Sequence, residues 1–423
     1  MRKNTCHFYS YLILLATVSG TFVFAQDYAL RDIPDPAILQ AGDGYVIFTT
    51  GAGIPICRSD DLVHWQKSGR VFAKKVPDWA KEKVPDTHGI WAPDIALYNG
   101  WYRLYYAVSS LGSQRSCIGL ALNRTLDPNH PDYEWVDRGL VIESNTGTCD
   151  YNAIDPAFFA DRDGKCWLAF GSFWSGIKLV ELNPATGKPD GAEPKIYSLA
   201  RRPVEQAIEA PFMVYRDGFY YLFVSYDHTM NGLDSNYKVM VGRAEKITGP
   251  YLDYTGRPMT EGYASLVLAN HDNWRGPGHN SILRTDKGDY LVHHTWDTRD
   301  VKLGRALQIR PLYWPADGWP LAGEPVTESP KKLEPMWTED LSGVWLHSVD
   351  YGPEYPLTFG TDGNITGSGV TGKWQKLGEQ VILQFPDAKE PGKVWEDRCL
   401  LLSPYGFYIG RNQNGQVIRG YKE

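Results

Sequence analysis

Helix-type periodicity is nearly absent from this 423-residue chain, as are an excess of positive charge, closely paired cysteines and a second long apolar run. Each absence excludes a class of protein. Helix signals reduce to Pro77-Asp78-Trp79-Ala80-Lys81-Glu82-Lys83, enough for one short turn inside a loop, so a helical fold is excluded. Lys and Arg number 43 against 50 Asp and Glu, a net charge of −7, which argues against a nucleic-acid partner. No Cys-x-x-Cys spacing exists, which argues against a thiolate metal site. Cys6 precedes the expected export cleavage; Cys57, Cys117, Cys149, Cys166 and Cys399 follow it, an odd number that leaves at least one thiol unpaired. They read as mostly isolated core residues, with Cys149 set apart by lying six residues before Asp155.

The one long apolar run is N-terminal. Arg2 and Lys3 precede an apolar stretch from about Tyr11 to Phe24, and Ala25-Gln26 offers a cleavage point. This predicts a signal peptide over residues 1–25 and an exported protein, periplasmic or secreted, with a retained signal anchor as the rival. No cysteine follows the run closely, against a lipid anchor, and no later stretch is long enough to span a bilayer.

What is abundant is aromatic residues and glycine: 26 Tyr, 15 Trp and 42 Gly. The combination suits a β-rich protein, and sugar rings pack on aromatic faces. Five times, at intervals of roughly sixty residues, a short signature opens a strand pair. The starts are Asp35-Pro36-Ala37-Ile38, Ala92-Pro93-Asp94-Ile95, Asp155-Pro156-Ala157-Phe158, Glu209-Ala210-Pro211-Phe212 and Gly278-His279-Asn280-Ser281. Turn pairs precede the next strand in each: Asp43-Gly44, Asn99-Gly100, Asp163-Gly164, Asp217-Gly218 and Lys287-Gly288. The pattern predicts an all-β fold: a five-bladed β-propeller over residues 26–325, whose central axis gathers Asp35, Asp94, Asp155, Glu209 and His279. The polar, Pro-containing segment from Glu324-Pro325 to Glu334-Pro335 reads as a linker. Short strands then follow through 326–423, a C-terminal all-β domain resembling a small barrel, with a structural or glycan-contacting role.

Three acids, Asp35, Asp155 and Glu209, stand at blade starts among apolar and Pro residues. One Asp-Pro step is explained by a turn in which the side chain accepts a hydrogen bond. Three acids at equivalent places of different repeats call for more, because a carboxylate among apolar neighbours is costly unless bonded or functional. Two carboxyls across a sugar are the minimum for glycoside hydrolysis. A third beside the proton donor helps keep it protonated.

With these residues in place, the chain resembles glycoside hydrolase family 43, and within it the endo-α-1,5-L-arabinanases. The stretches that carry the resemblance are Pro34-Asp35-Pro36, Trp91-Ala92-Pro93-Asp94, Tyr151-Asn152-Ala153-Ile154-Asp155-Pro156 and Ile208-Glu209-Ala210-Pro211-Phe212. Gly276-Pro277-Gly278-His279-Asn280-Ser281, Leu307-Gln308-Ile309-Arg310-Pro311-Leu312-Tyr313-Trp314 and Asp317-Gly318-Trp319-Pro320 complete them. Each is weak alone; the ordered set is specific. The resemblance implies an inverting hydrolase of linear arabinan, acting as a monomer. It implies Asp35 as general base, Glu209 as general acid and Asp155 as the group that tunes and orients the acid. Inversion implies a base–acid separation of about 6.5–9.5 Å. It also implies that His279 touches one central ion, taken as Ca2+ with mostly water ligands. An imidazole is an unusual calcium ligand, so the ion's identity stays open.

Trp91 and Phe173-Trp174 are candidates for stacking on arabinofuranose rings, against plain core packing. Asn152, Ser172 and Asp94 are candidates for bonds to sugar hydroxyls, and Gly112 to Ser116 for a loop lining the groove. Arg310 is either strand-end structure or a substrate contact. Two rivals remain: an exo-acting α-L-arabinofuranosidase or β-xylosidase of the same family, sharing the three acids, and a non-catalytic glycan-binding propeller, which the presence of all three acids disfavours. A retaining invertase-like propeller would want an Arg-Asp-Pro step, and here Ile33 follows Arg31-Asp32.

Overall fold

A computed structural model describes residues 30–329, 340–387, 390–402 and 406–423. The expected signal segment and residues 330–335 of the expected linker lie outside the described residues. Five four-stranded antiparallel sheets follow one another, each with its strands in sequence order. They span residues 37–70, 91–144, 157–200, 208–268 and 274–322. An eight-stranded closed barrel follows over 343–422. The single α-helix among the described residues is Asp78–Lys83. The chain is thus all-β, a five-bladed propeller followed by a barrel, as the repeats predict.

Local chemistry sets the hairpins. Asn99-Gly100 and Asp217-Gly218 have φ of +49°, +71° and +47°, +92°, the paired left-handed residues of a two-residue turn that matches strand twist. In blades one and five the turn sits one residue earlier than the sequence pattern indicates: Ala41 pairs with Gly44, and Thr285 with Gly288.

Apolar residues pack between blades. One cluster joins Val46, Phe48 and Ile56 of blade one to Leu104 and Tyr106 of blade two. Others join blades two and three, three and four, four and five, and five and one. The ring is closed by the N-terminal segment, where Leu307 N–H donates to Leu30 O at 3.0 Å and Ile33 N–H to Arg305 O at 3.1 Å. The cysteines at 57, 117, 166 and 399 are buried and unpaired, and Cys149 is half-buried and unpaired.

The barrel is fastened to blades four and five. Leu402, Phe407, Ile409 and Val417 share a core with Phe223, Val241, Leu291 and Trp319. Arg411 donates to Leu266 O (2.7 Å) and Pro320 O (3.0 Å), and Tyr351 OH to Val267 O (2.8 Å). Glu324, the first residue of the expected linker, is an anchor: it accepts from Arg419 at 3.0 Å and Tyr421 at 2.7 Å. Arg310 is structural too. It is buried, donating to Gln308, Gly323 O and His271.

One backbone feature recurs in every blade and creates the site. Asp35, Ala92, Asp155, Ala210 and His279 are all left-handed, with φ of +54°, +41°, +55°, +55° and +50°. Pro follows the first four, at 36, 93, 156 and 211, and the ladder register breaks around Ala92, Ala210 and His279. A bulge at the innermost strand re-aims a side chain, and five of them in a ring aim side chains at one axis. The alignment corrects one expectation: Asp35 and Asp155 occupy the left-handed position itself, whereas Glu209 lies one residue before it.

Candidate active site

A cavity of about 840 Å³ opens at the axis, lined from every blade and by Asp35, Asp155, Glu209 and His279. Trp91, Asn152, Ser172 and Phe173 also line it, as do Ser110 to Ser113 of the expected groove loop. Phe173 and Trp174 are both left-handed, φ +54° and +42°. Two consecutive strained aromatics facing a cavity are uncommon in a merely packed loop.

Asp94 does not reach the cavity. It is 6 % exposed, and its Oδ2 accepts the Phe158 N–H at 2.7 Å. It sits two residues past the bulge and points between blades two and three, a blade-to-blade tie and not a sugar contact. Burial raises its carboxyl to about 7, partly offset by the Phe158 and Ile95 amides. A raised acid stabilises the fold below its unfolded value and loses that contribution as pH climbs through the folded value. Asp94→Asn, which keeps an acceptor for Phe158, will therefore show a decline in unfolding free energy between pH 4 and 8 smaller than wild type by about 3 kcal/mol; denaturant melts across that range check this.

Asp35 is held from several sides. Its Oδ2 accepts from Thr50 Oγ1, which itself accepts the Ala92 N–H at 2.7 Å. Its Oδ1 lies 3.2 Å from His279 Nδ1 and 3.9 Å from Arg305 Nη1. Burial alone would push this carboxyl up; His279 foremost, with the Arg305 charge among the smaller contributions, outweighs it, and Asp35 is held well below the usual range. His294 also approaches, with Nδ1 3.4 Å from Oδ1. That nitrogen carries a lone pair, because it accepts the Asp35 backbone N–H at 3.1 Å. The ring proton is on Nε2, which bonds Thr229 Oγ1 at 2.8 Å. Burial, then Arg305, lowers His294 to about 4, so the ring is neutral at pH 7.

The other two carboxyls form a pair. Glu209 accepts from Ser172 Oγ at Oε2 and from Tyr237 OH at Oε1, both 2.7 Å. Asp155 is 5 % exposed and accepts the Ala210 N–H at 3.0 Å. Burial first, and then the charges of Glu209 and Asp35, push Asp155 well up, as expected of a buried carboxyl beside other acids. Gly278 makes room for this arrangement: a Cβ there would fall 2.2 Å from Tyr237 Cδ1. The cavity thus holds one carboxyl held low, Asp35, and one pushed up, Asp155, two environments of opposite kind.

Thr50, Tyr237, His294 and Arg305 escaped the sequence reading. Only the His293-His294 doublet inside a strand offered a signal; the others lie in loops beside strands, with no signature.

For a central cation the donor set is sparse. His279 Nδ1 faces Asp35, which leaves Nε2 for an ion, and among the described residues no group of three or more His, Cys, Asp or Glu side chains could hold one. One imidazole nitrogen leaves most of the ~6–8 positions of a calcium shell to water. The residues fit an ion held by one histidine and water, and do not fit a protein cage.

Carboxyls gathered in one cavity suit the hydrolysis of a glycosidic bond, which needs two of them across a sugar, whereas the propeller alone does not decide function. The sequence narrows this: residues 30–320 match the family model for glycosyl hydrolases family 43, and the chain belongs to that family. It is 43 % identical over 310 residues to an extracellular exo-α-(1→5)-L-arabinofuranosidase of Cellvibrio japonicus, covering 70 % of this chain and 88 % of the relative. It is 42 % identical over 291 residues to an extracellular endo-α-(1→5)-L-arabinanase of Bacillus subtilis, covering 68 % and 86 %. The crystal structure of an endo-1,5-α-L-arabinanase from Thermotoga petrophila matches with a TM-score of 0.77 at 22 % identity, over 94 % of this chain and 99 % of that one. That last likeness speaks to the fold, barrel included. No helix among the described residues is long and apolar enough to cross a membrane.

Proposed function

We propose that this chain is an inverting endo-hydrolase of the α-1,5-L-arabinofuranosidic bonds of linear arabinan, releasing arabino-oligosaccharides outside the cytoplasm. The observation that carries this reading is the axial cavity, where Asp35 is held well below the usual carboxylate range while Asp155, beside Glu209, is pushed well above it. Asp35 takes a proton from water as its oxygen attacks the anomeric carbon. The bond from that carbon to the leaving O5 breaks, and Glu209 gives its proton to that oxygen. Asp155 keeps the proton on the pair and orients Glu209. Phe173 and Trp91 supply faces for the rings, while Asn152 and Ser172 meet hydroxyls. The cavity lies near the upper end of the ~300–1,000 Å³ range of ligand sites, with room for more than one pentose. The similarity to the Bacillus subtilis endo-arabinanase supports internal cleavage. The similarity to the Cellvibrio japonicus exo-enzyme supports a second reading, release from chain ends. Both relatives are named extracellular, in keeping with export.

Product analysis over time on debranched arabinan, with NMR of the first-formed anomer, tests the reading. A ladder of oligosaccharides of β configuration is expected. Arabinose alone would establish the exo reading, and binding without product would make the chain a glycan-binding propeller.

When a cation is bound, calcium by this reading, it supplies positive charge beneath the sugar site, with His279 and water holding it. Chelation of wild type, which leaves the His279–Asp35 contact in place, is expected to lower kcat at least about tenfold, ~1.4 kcal/mol. His279→Ala should do at least as much without abolishing cooperative thermal unfolding. Unchanged rates in both would leave His279 a purely structural residue.

A further inference from the structure

We propose that His294, stacked on Tyr237, is the positioning element that sets the separation between Asp35 and Glu209. The inference rests on the base and acid roles proposed above. Asp35 and Glu209 come from blades one and four, and ring closure brings those blades round to flank blade five. His294 belongs to the second strand of blade five, Gly288–Asp297, and contacts both sides. Its Nδ1 accepts the Asp35 N–H, pinning a left-handed aspartate backbone that would otherwise relax. Its face lies parallel to the Tyr237 ring, with centroids 5.9 Å apart and planes at 13°, within the offset-stacked range. The Tyr237 hydroxyl in turn bonds Glu209 Oε1. One imidazole therefore spans the distance from the base's backbone to the group that holds the acid.

The ring is itself fixed. It is fully buried, and its Nε2 bonds Thr229 Oγ1. The Thr229 carbonyl is gripped by Trp296 Nε1 at 2.7 Å and Ser235 Oγ at 2.8 Å. Gly278 leaves no Cβ to push Tyr237 off the stack. The charged and titratable groups acting on the ring are Asp35, His279 and Arg305, and none replaces the amide bond or the stack. Inversion depends on a water fitting between base and acid. A fixed ring between them defines that gap, and a 1 Å error there costs about 100-fold in rate.

The experiment compares His294→Leu, His294→Asn and Tyr237→Phe, alone and as the Leu–Phe double variant, by kcat and KM on linear arabinan and by thermal melts. His294→Leu removes the acceptor and the stack, and should lower kcat about 100-fold with KM within about threefold. His294→Asn restores an acceptor near the Nδ1 position and should recover about tenfold of that loss, which general destabilisation would not produce. Tyr237→Phe keeps the ring and loses the Glu209 bond, and should lower kcat about tenfold. The double variant should lose less than the product of the two, because both act on one distance. If His294→Leu does not fold, the Asn and Phe variants carry the same test. A kcat within threefold of wild type, equal losses in Leu and Asn, a loss confined to KM, or strict multiplicativity would each overturn the inference. Wild type that leaves arabinan uncut would instead sink the functional reading, and this inference with it.

Discussion

Glu209→Gln will lower turnover of linear arabinan by roughly 100- to 10,000-fold, the range for removing a general acid, while substrate still binds. The substitution is conservative in space. Ser172 and Tyr237 both donate to the Glu209 carboxylate; either hydroxyl can turn to accept from the new amide, so the cavity keeps its shape. What is lost is the acid proposed to protonate the leaving oxygen. The loss should therefore depend on the leaving group: near-complete on arabinan, much smaller on an arabino-oligosaccharide carrying an acidic phenol, which departs without a proton. Kinetics on the two substrates, with calorimetry for binding, check this. Equal losses on both would remove Glu209 from the acid role.

Asp35→Asn is the second large effect. Asn tolerates the left-handed backbone, here at φ +54°, and the N–H bond to His294 belongs to the backbone, so the fold should persist. The proposed base is gone, and kcat should fall by a similar roughly 100- to 10,000-fold with KM little changed. The pH profile supplies a separate check. By the proposed roles, activity needs Asp35 ionised and a proton held between Asp155 and Glu209. Asp35 is held well below the ordinary carboxylate range and Asp155 well above it. Activity should therefore rise with pH through a limb displaced to low pH, then fall as the pair loses its proton. In Asp35→Asn the residual activity should lack the acidic limb and keep the alkaline one. An unchanged acidic limb would assign that limb to another group.

How much of this was legible in the sequence follows from how local each signal is. The blade count was legible because every blade repeats the same two local devices, a Pro-containing entry to the inner strand and a Gly-containing turn before the next. The acids at 35, 155 and 209 were legible because each adjoins such an entry. The barrel was legible because short strands and turns continue past residue 340 without the repeat.

What only the tertiary structure decided concerns register and closure. A bulge of one residue separates a side chain aimed at the axis from one aimed between blades. That is why Asp94, two residues past its bulge, ties blades together, and why Glu209 reaches the cavity from one position before the bulge at Ala210. Glu324, read as linker, became an anchor once Arg419 and Tyr421 of the barrel folded against it. Closure places His294 beside Asp35, 259 residues away in sequence, and the stack on Tyr237 exists only after blades four and five meet. The acids are written in short segments, so sequence alone singled out the candidates. Their spacing and protonation arise from contacts among all the blades, and only the closed ring decided them.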